Sequence, residues 1–195
     1  MLLAVDIGNT NTVFALCGKD GIDAHWRIST DHRRTADEYT VWLLALMQQR
    51  GYTKEHISSI AIASVVPDAI FNLKTLARQL IGKDPLILSS GAIELDMKVE
   101  IDNPRELGAD RLVNAYAAWR KHRTALVIVD FGTATTFDVV SPQGAYRGGV
   151  IAPGVNLSLE ALQSAAARLH GIAIARPSKV VGTNTTGAMQ SGIYY

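Results

Sequence analysis

An α/β fold made of two similar halves is what this sequence predicts, and three observations predict it. Short apolar runs of strand length recur, and two of them lead into an aspartate: Leu2–Val5 before Asp6, and Ala125–Val129 before Asp130. Between such runs lie stretches whose apolar residues recur at helical spacing, as in helices laid on a sheet. The third observation is an internal repeat. Val5-Asp6-Ile7-Gly8-Asn9-Thr10-Asn11-Thr12 can be laid on Val129-Asp130-Phe131-Gly132-Thr133-Ala134-Thr135-Thr136 at an offset of 124 positions. Val, Asp, Gly and the final Thr are identical in the two segments.

The elements follow in chain order. Leu2–Val5 reads as a buried strand, Ile7–Asn11 as turn chemistry, and Thr12–Leu16 as the second strand of a hairpin. Thr35 followed by Glu38 has the form of a capping box and opens a helix. Tyr39, Leu43, Leu46 and Met47 recur on one face of that helix, and Gly51 marks its end. Ile60–Val66 is a strand stopped by Pro67, followed by a helix over Asp68–Ile81 and a short strand at Leu86–Leu88. Asp102-Asn103-Pro104 turns into a helix bearing Leu112, Val113, Tyr116 and Trp119. The strand Ala125–Val129 comes next. Gly144, Gly148, Gly149 and Gly154 then punctuate a strand and a loop, and Leu159, Leu162, Ala166 and Leu169 indicate another helix.

Composition narrows the function. Of 195 residues, 48% are hydrophobic and 19% charged, enough for a real core and unlike a disordered chain. The length fits one large or two small domains at roughly 150 residues each. With 19 Lys+Arg against 18 Asp+Glu, the net charge is +1, which argues against a nucleic-acid binder or a polybasic membrane anchor. No apolar run approaches the ~20 residues that span a bilayer. Met1–Val5 meet Asp6 with no basic stretch before them, so a signal peptide is not expected. A single cysteine, Cys17, excludes internal disulfides and thiolate zinc clusters and reads as a small core residue. The expectation is a soluble cytoplasmic protein with no nucleic-acid or membrane partner.

The repeated Asp-x-Gly turn is the chemical signal. Backbone N–H groups of a tight turn, with Thr and Asn side chains beside them, can donate to phosphate oxygens. A carboxylate at the same place repels phosphate unless a cation joins them, and hard oxygen ligands suit Mg²⁺ or an alkali metal. Two such hairpins would clamp a nucleotide between two halves. Gly108-Ala109-Asp110-Arg111 adds an acid near a helix start, where the helix dipole favours its charge. That acid can take a proton from an alcohol, and the adjacent arginine can bind an anion through its planar fork. The scattered histidines (His25, His32, His56, His122, His170) show no metal-ligand spacing. Arg33-Arg34 and Arg120-Lys121-His122-Arg123 read as solvated charge, and the phosphate loop G-x-x-x-x-G-K-[ST] is absent.

These motifs resemble those of the type III pantothenate kinases. The resemblance rests on Asp6–Thr10, Ile62–Pro67, Asn103–Arg111, Asp130–Thr136, Gly148–Gly154, Asn184-Thr185 and Ala188–Gly192, which occur in family order along essentially the whole chain. It implies duplicated ribonuclease H-like domains of the actin-like ATPase kind with a cleft between them, placed here at 1–119 and 120–195. It further implies ATP-dependent phosphorylation of pantothenate to 4'-phosphopantothenate, the first step of coenzyme A biosynthesis. Mg²⁺, a monovalent cation (K⁺ or NH₄⁺) and a homodimer come with it. By the same resemblance Asp6, Ile7, Gly8, Asn9, Thr10, Asn11, Thr12 and Val13 form the first ATP-phosphate loop, with Asp6 holding Mg²⁺ through water. Thr133 is a second nucleotide contact and Asp130 a monovalent-cation ligand. Gly108, Ala109, Asp110 and Arg111 are the pantothenate segment, Asp110 is the catalytic base, and Thr185 is a further substrate contact. Val13 stands where many members carry a basic residue, Ile101 where many have Tyr, and Thr183 where Lys is frequent.

Two other readings accompany this one: a regulatory protein like the Bvg accessory factors of the same family, or another small-alcohol kinase or phosphatase using the same clamp. Retention of Asp6, Asp110 and Asp130 favours catalysis. The repeat offset also suggests a second domain incomplete at its C-terminus, with an apolar surface left uncovered.

Overall fold

Strand β1 (Leu2–Ile7) and strand β2 (Asn11–Cys17) form the expected hairpin, with Leu3 opposite Leu16, Val5 opposite Phe14 and Ile7 opposite Thr12. The structure, a computed structural model, describes residues 1–88, 95–165 and 171–195. A third strand, β3 (Ile22–Ser29), continues the meander beyond what the sequence pattern indicated. Strand β4 (Ser59–Ser64) lies parallel to β1, and β5 (Leu86–Leu88) parallel to β4, giving a five-stranded sheet in the order β3-β2-β1-β4-β5. Cross-strand partners share a face, so Leu3, Val5 and Ile7 line up with Phe14, Leu16, Ile60 and Ile62. Helices α1 (Ala36–Gln49) and α2 (Ile70–Ile81) supply the other half of that core through Leu43, Met47, Leu73 and Leu76. The capping box at Thr35 is formed: the Thr35 hydroxyl accepts the Glu38 N–H, and the Glu38 carboxylate accepts the Thr35 N–H at 2.8 Å. The opposite face of the sheet presents Ala4, Ala15 and Ala61, paired side by side.

Helix α3 (Ala109–His122) leads into a second, antiparallel meander made of β6 (Leu126–Phe131), β7 (Ala134–Val140) and β8 (Tyr146–Pro153), in the order β6-β7-β8. One face of this sheet packs on α3. Met97, Leu107, Ala115, Val140 and Tyr146 are its buried centre, with Leu112, Tyr116, Trp119, Leu126 and Ile128 against it. The other face carries Val127, Val129, Phe131, Val139 and Val150, all exposed. Helix α4 (Val155–Ala165) follows β8, and α5 (Thr185–Tyr194) closes the described chain. Among the described residues, no helix is long and apolar enough to cross a membrane.

Several sequence expectations are corrected. The strands expected to end at Asp6 and Asp130 each run one residue further, to Ile7 and Phe131. The fourth strand ends at Ser64, because Ser64 Oγ takes the Val66 N–H at 3.0 Å and donates to the Val66 carbonyl, turning the chain before Pro67. Pro67–Ala69 is a 3₁₀ turn, so the α-helix expected from Asp68 starts at Ile70. The repeat also slips by one residue: Thr12 pairs with Ile7, whereas it is Thr135, not Thr136, that pairs with Phe131. The first loop is therefore one residue longer. Ala166, Leu169 and His170 lie outside the described residues.

Candidate functional site

The site is built where the two meanders turn. In the first, the Gly8 N–H donates to the Asn11 carbonyl at 3.0 Å, and the Thr30 hydroxyl donates to the Gly8 carbonyl at 2.7 Å. In the second, the Gly132 N–H donates to the Ala134 carbonyl at 2.9 Å. Both glycine amides thus close their own turns and are not free phosphate donors, contrary to the simplest reading of an Asp-x-Gly turn. The donors left at the tips are those of Asn9, Thr10, Asn11 and Thr133, all exposed. Ile7 and Thr12 face the first core, where the Thr12 hydroxyl meets that of Thr30 at 2.9 Å. Val13 lies directly across from Asp6 on the same face of the sheet. The two tips touch: the hydroxyls of Thr10 and Thr133 are 2.6 Å apart.

The carboxylates gather around this junction. Much of Asp6 is open to solvent, yet protein packed about its carboxyl pushes its pKa up from 3.8, and the charges of Asp110 and then Asp130 push it further. Asp6, Asp110 and Asp130 are therefore close enough to repel, and no cationic side chain among the described residues counters them at Asp6. Asp130 has a specific neighbour: Thr136 stands opposite it in β7, and the Thr136 hydroxyl is buried without a partner among the described residues. An orphaned hydroxyl oxygen beside a carboxylate is a donor set suited to a hard cation. No three His, Cys, Asp or Glu side chains among the described residues converge as a full chelating set. A metal here would complete its shell with phosphate oxygens and water, as Mg²⁺ characteristically does.

Asp110 comes from the first turn of α3, with Gly108 as the N-cap residue. Its carboxylate folds back to accept the Arg111 backbone N–H at 2.8 Å. Glycine at 108 leaves room for that fold, since a Cβ there would lie 2.5 Å from Asp110 Oδ1 and push the carboxylate aside. The Arg111 guanidinium is turned inward onto Asp138, with Nη2 2.6 Å from its Oδ1. Ala109 is buried. Thr185 is exposed at the start of α5, where Asn184 caps the helix by accepting the Gly187 N–H at 2.8 Å. A cleft of about 490 Å³ bounded by Pro177, Lys179, Asn184 and Gln190 lies at that helix start, apart from the three carboxylates.

The structure thus brings Asp6, Asp110, Asp130, Thr10 and Thr133 together. It adds Thr136, Asp138 and Tyr146, which sequence reasoning missed. Asp138 carried a usable signal, as a lone acid inside the apolar stretch Phe137-Asp138-Val139-Val140.

Comparison with known proteins agrees with the motifs. A family model for type III pantothenate kinase matches residues 2–195. The chain is 52% identical over 195 residues to a type III pantothenate kinase of Paramagnetospirillum magneticum, covering 100% of this chain and 75% of the relative. It is 50% identical over 197 residues to that of Maricaulis maris, again covering 100% and 75%. Among solved structures, a protein of Campylobacter jejuni assigned to the Baf family of transcriptional activators superposes with TM-score 0.54 at 21% identity, over 97% of this chain and 72% of that one. A protein of Sinorhizobium meliloti assigned as a 2-dehydro-3-deoxygalactonokinase superposes with TM-score 0.53 at 15% identity, over 89% and 62%. These two likenesses concern the fold alone.

Proposed function

This chain belongs to the type III pantothenate kinase family, and from that premise we infer that it transfers a phosphoryl group from ATP to pantothenate, giving 4'-phosphopantothenate at the first step of coenzyme A biosynthesis. Phosphoryl transfer asks a protein for positioning, charge neutralisation and an acceptor for the alcohol proton, with no covalent residue required. Asp110 is the base that accepts the proton of the pantothenate hydroxyl as its oxygen attacks the γ-phosphorus. Asn9, Thr10, Asn11 and Thr133 at the paired hairpin tips hold the phosphates, and Gly108–Arg111 hold pantothenate, with Arg111 toward its carboxylate. Thr185 is a further pantothenate contact.

The observation that carries this reading is the gathering of Asp6, Asp110 and Asp130 at the joined hairpin tips, where burial first, and then the charges of Asp110 and Asp130, raise the Asp6 pKa. Uncompensated negative charge of that kind suits a site completed by cations. Asp6 would hold Mg²⁺ through water, and Asp130 with the orphaned Thr136 hydroxyl would hold K⁺ or NH₄⁺. When bound, these cations neutralise triphosphate charge that the carboxylates alone would repel.

Two actin-like domains enclosing a cleft are part of the proposal. Each sheet contributes an antiparallel meander whose first strand carries the aspartate, which supports duplication. The two cores favour a boundary near residue 95 over one at 119, since Met97, Leu107 and Ala115 pack with the second sheet. A cytoplasmic homodimer is also proposed.

The test is ADP release from ATP with pantothenate, in K⁺, NH₄⁺ or Na⁺. Turnover should need pantothenate and rise with K⁺ or NH₄⁺; equal rates in all three salts would remove the monovalent-cation site. Asp110→Asn should lower turnover about 10²–10⁴-fold with the fold intact. Near-normal turnover in that variant would remove Asp110 from the mechanism.

A further inference from the structure

Arg111 is gripped from behind. Its Nη2 lies 2.6 Å from Asp138 Oδ1, and its Nε donates to the same oxygen at 2.9 Å. The Tyr146 hydroxyl donates to that oxygen too, at 2.6 Å. The Asp138 side chain is 2% exposed and that of Arg111 18%, so this ion pair is largely withdrawn from water. Asp138 belongs to β7 and Tyr146 opens β8, so two strands of the second sheet hold a side chain from the first turn of α3.

Gly149 completes the arrangement. It stands opposite Asp138 in the β7–β8 register, and a Cβ there would collide first with the Phe137 carbonyl oxygen and would also lie 2.7 Å from Arg111 Nη2 and 3.1 Å from Asp138 Oδ1. Glycine is required there by the close backbone approach, and the same absence of a side chain leaves room for the guanidinium. Burial opposes the charge on Arg111, but its hydrogen bond to Asp138 and the Asp138 charge prevail and raise its pKa. Burial, then the Asp138 hydrogen bond and charge, raises the Tyr146 hydroxyl above its ordinary 10.0.

A withdrawn ion pair is a poor source of stability, because removing two charges from water offsets most of their attraction. Its strength is orientation. The Nε–Nη2 side of the guanidinium is taken by Asp138, which leaves the Nη1 end for a ligand. We propose that Asp138 and Tyr146 are positioning residues that aim the free end of Arg111 at the carboxylate of pantothenate, so that the enzyme selects the acid over neutral analogues. This rests on the reading of Arg111 as the pantothenate contact. It deepens that reading by assigning the residues that set its aim.

The experiment compares pantothenate with pantothenol, the same molecule with a neutral alcohol in place of the carboxylate, by calorimetric titration of the full chain. The unaltered protein should prefer pantothenate. Asp138→Asn should cut that preference about tenfold, the order of one misaligned charge-assisted hydrogen bond, with the KM for ATP unchanged. Tyr146→Phe keeps the ring in the core and should cut it less, about threefold, so the inference stands or falls even if Asp138→Asn folds poorly. Arg111→Met should abolish the preference, and adding Asp138→Asn to it should change nothing more. A preference unchanged by Asp138→Asn and Tyr146→Phe, or equal weakening of both ligands, overturns the positioning role while leaving the kinase reading intact. Failure of the unaltered chain to bind pantothenate overturns both.

Discussion

The first strands of the two meanders are written alike and finished differently. At the repeat offset, Leu3, Val5 and Ile7 of β1 correspond to Val127, Val129 and Phe131 of β6. Leu3 and Ile7 are 0% exposed beneath α1 and α2, whereas Val127 is 64% and Phe131 74% exposed. Alternation along a strand specifies which face is apolar, and that information is equally clear in both. Whether another element covers the face is a separate matter, decided by segments far along the chain. In the first sheet, α1 and α2 do it. In the second, α3 covers the face bearing Leu126 and Ile128, and the described helices leave Val127 and Phe131 open.

The comparison can be broken by matched truncations. Leu3→Ala removes a fully buried side chain and should lower unfolding free energy by about 2–5 kcal/mol in urea. Val127→Ala, at the corresponding place, should stay within about 0.5 kcal/mol. Similar losses for both would mean that the β6 face is covered in solution, and sedimentation at several concentrations would reveal whether a second copy does it. If the face is open, Phe131→Thr should reduce concentration-dependent association without lowering stability, as expected when an exposed apolar patch is interrupted.

The same contrast explains what was legible in the sequence. Local signals were read correctly where local physics decides: the Thr35–Glu38 box, the buried stripe of Tyr39, Leu43 and Met47, and the hairpin after Asp6. Strand β3 was missed because only Ala24, Trp26 and Ile28 mark its apolar phase, with His25 and Arg27 between them at the sheet edge. The one-residue slip of the repeat was invisible because Thr135 and Thr136 are both threonines, and only the strand register tells them apart. The Arg111–Asp138 pair spans 27 positions and two elements, so no spacing rule could have joined them. Asp6, Asp110 and Asp130 were each legible as acids at turns or helix starts; that they repel one another required the fold.

A smaller effect tests how the two meanders are joined. The Thr10–Thr133 hydroxyl contact is a link between their tips, and it is exposed. Thr10→Val should therefore lower stability by no more than about 1 kcal/mol. Thr133→Val should cost about the same, and the double variant little more than either, because each single change already removes the bond. Full additivity would show that the tips are not joined in solution.

The finest test concerns the charges between the meanders. Burial is the first cause of the raised Asp6 pKa, Asp110 the second and Asp130 the third. Carboxyl titration of Asp6 by NMR should then show its pKa falling on Asp110→Asn, falling less on Asp130→Asn, and remaining above 3.8 in both. The sign for stability follows from linkage. A carboxyl whose folded pKa exceeds its unfolded value favours the fold below the unfolded pKa, and that contribution is lost as pH rises through the folded one. Ionised Asp6 therefore weakens the ligand-free protein at neutral pH. Asp6→Asn should raise its melting temperature at pH 7, and the gain should vanish as pH falls toward 3.8, where aspartate is itself protonated. The same variant should lose most of the stabilisation that ATP with Mg²⁺ gives the unaltered chain. Asp6 would then be a group kept at a cost to the empty fold because the loaded site needs its charge; an Asp6→Asn protein no more stable than the original at pH 7 would refute that trade.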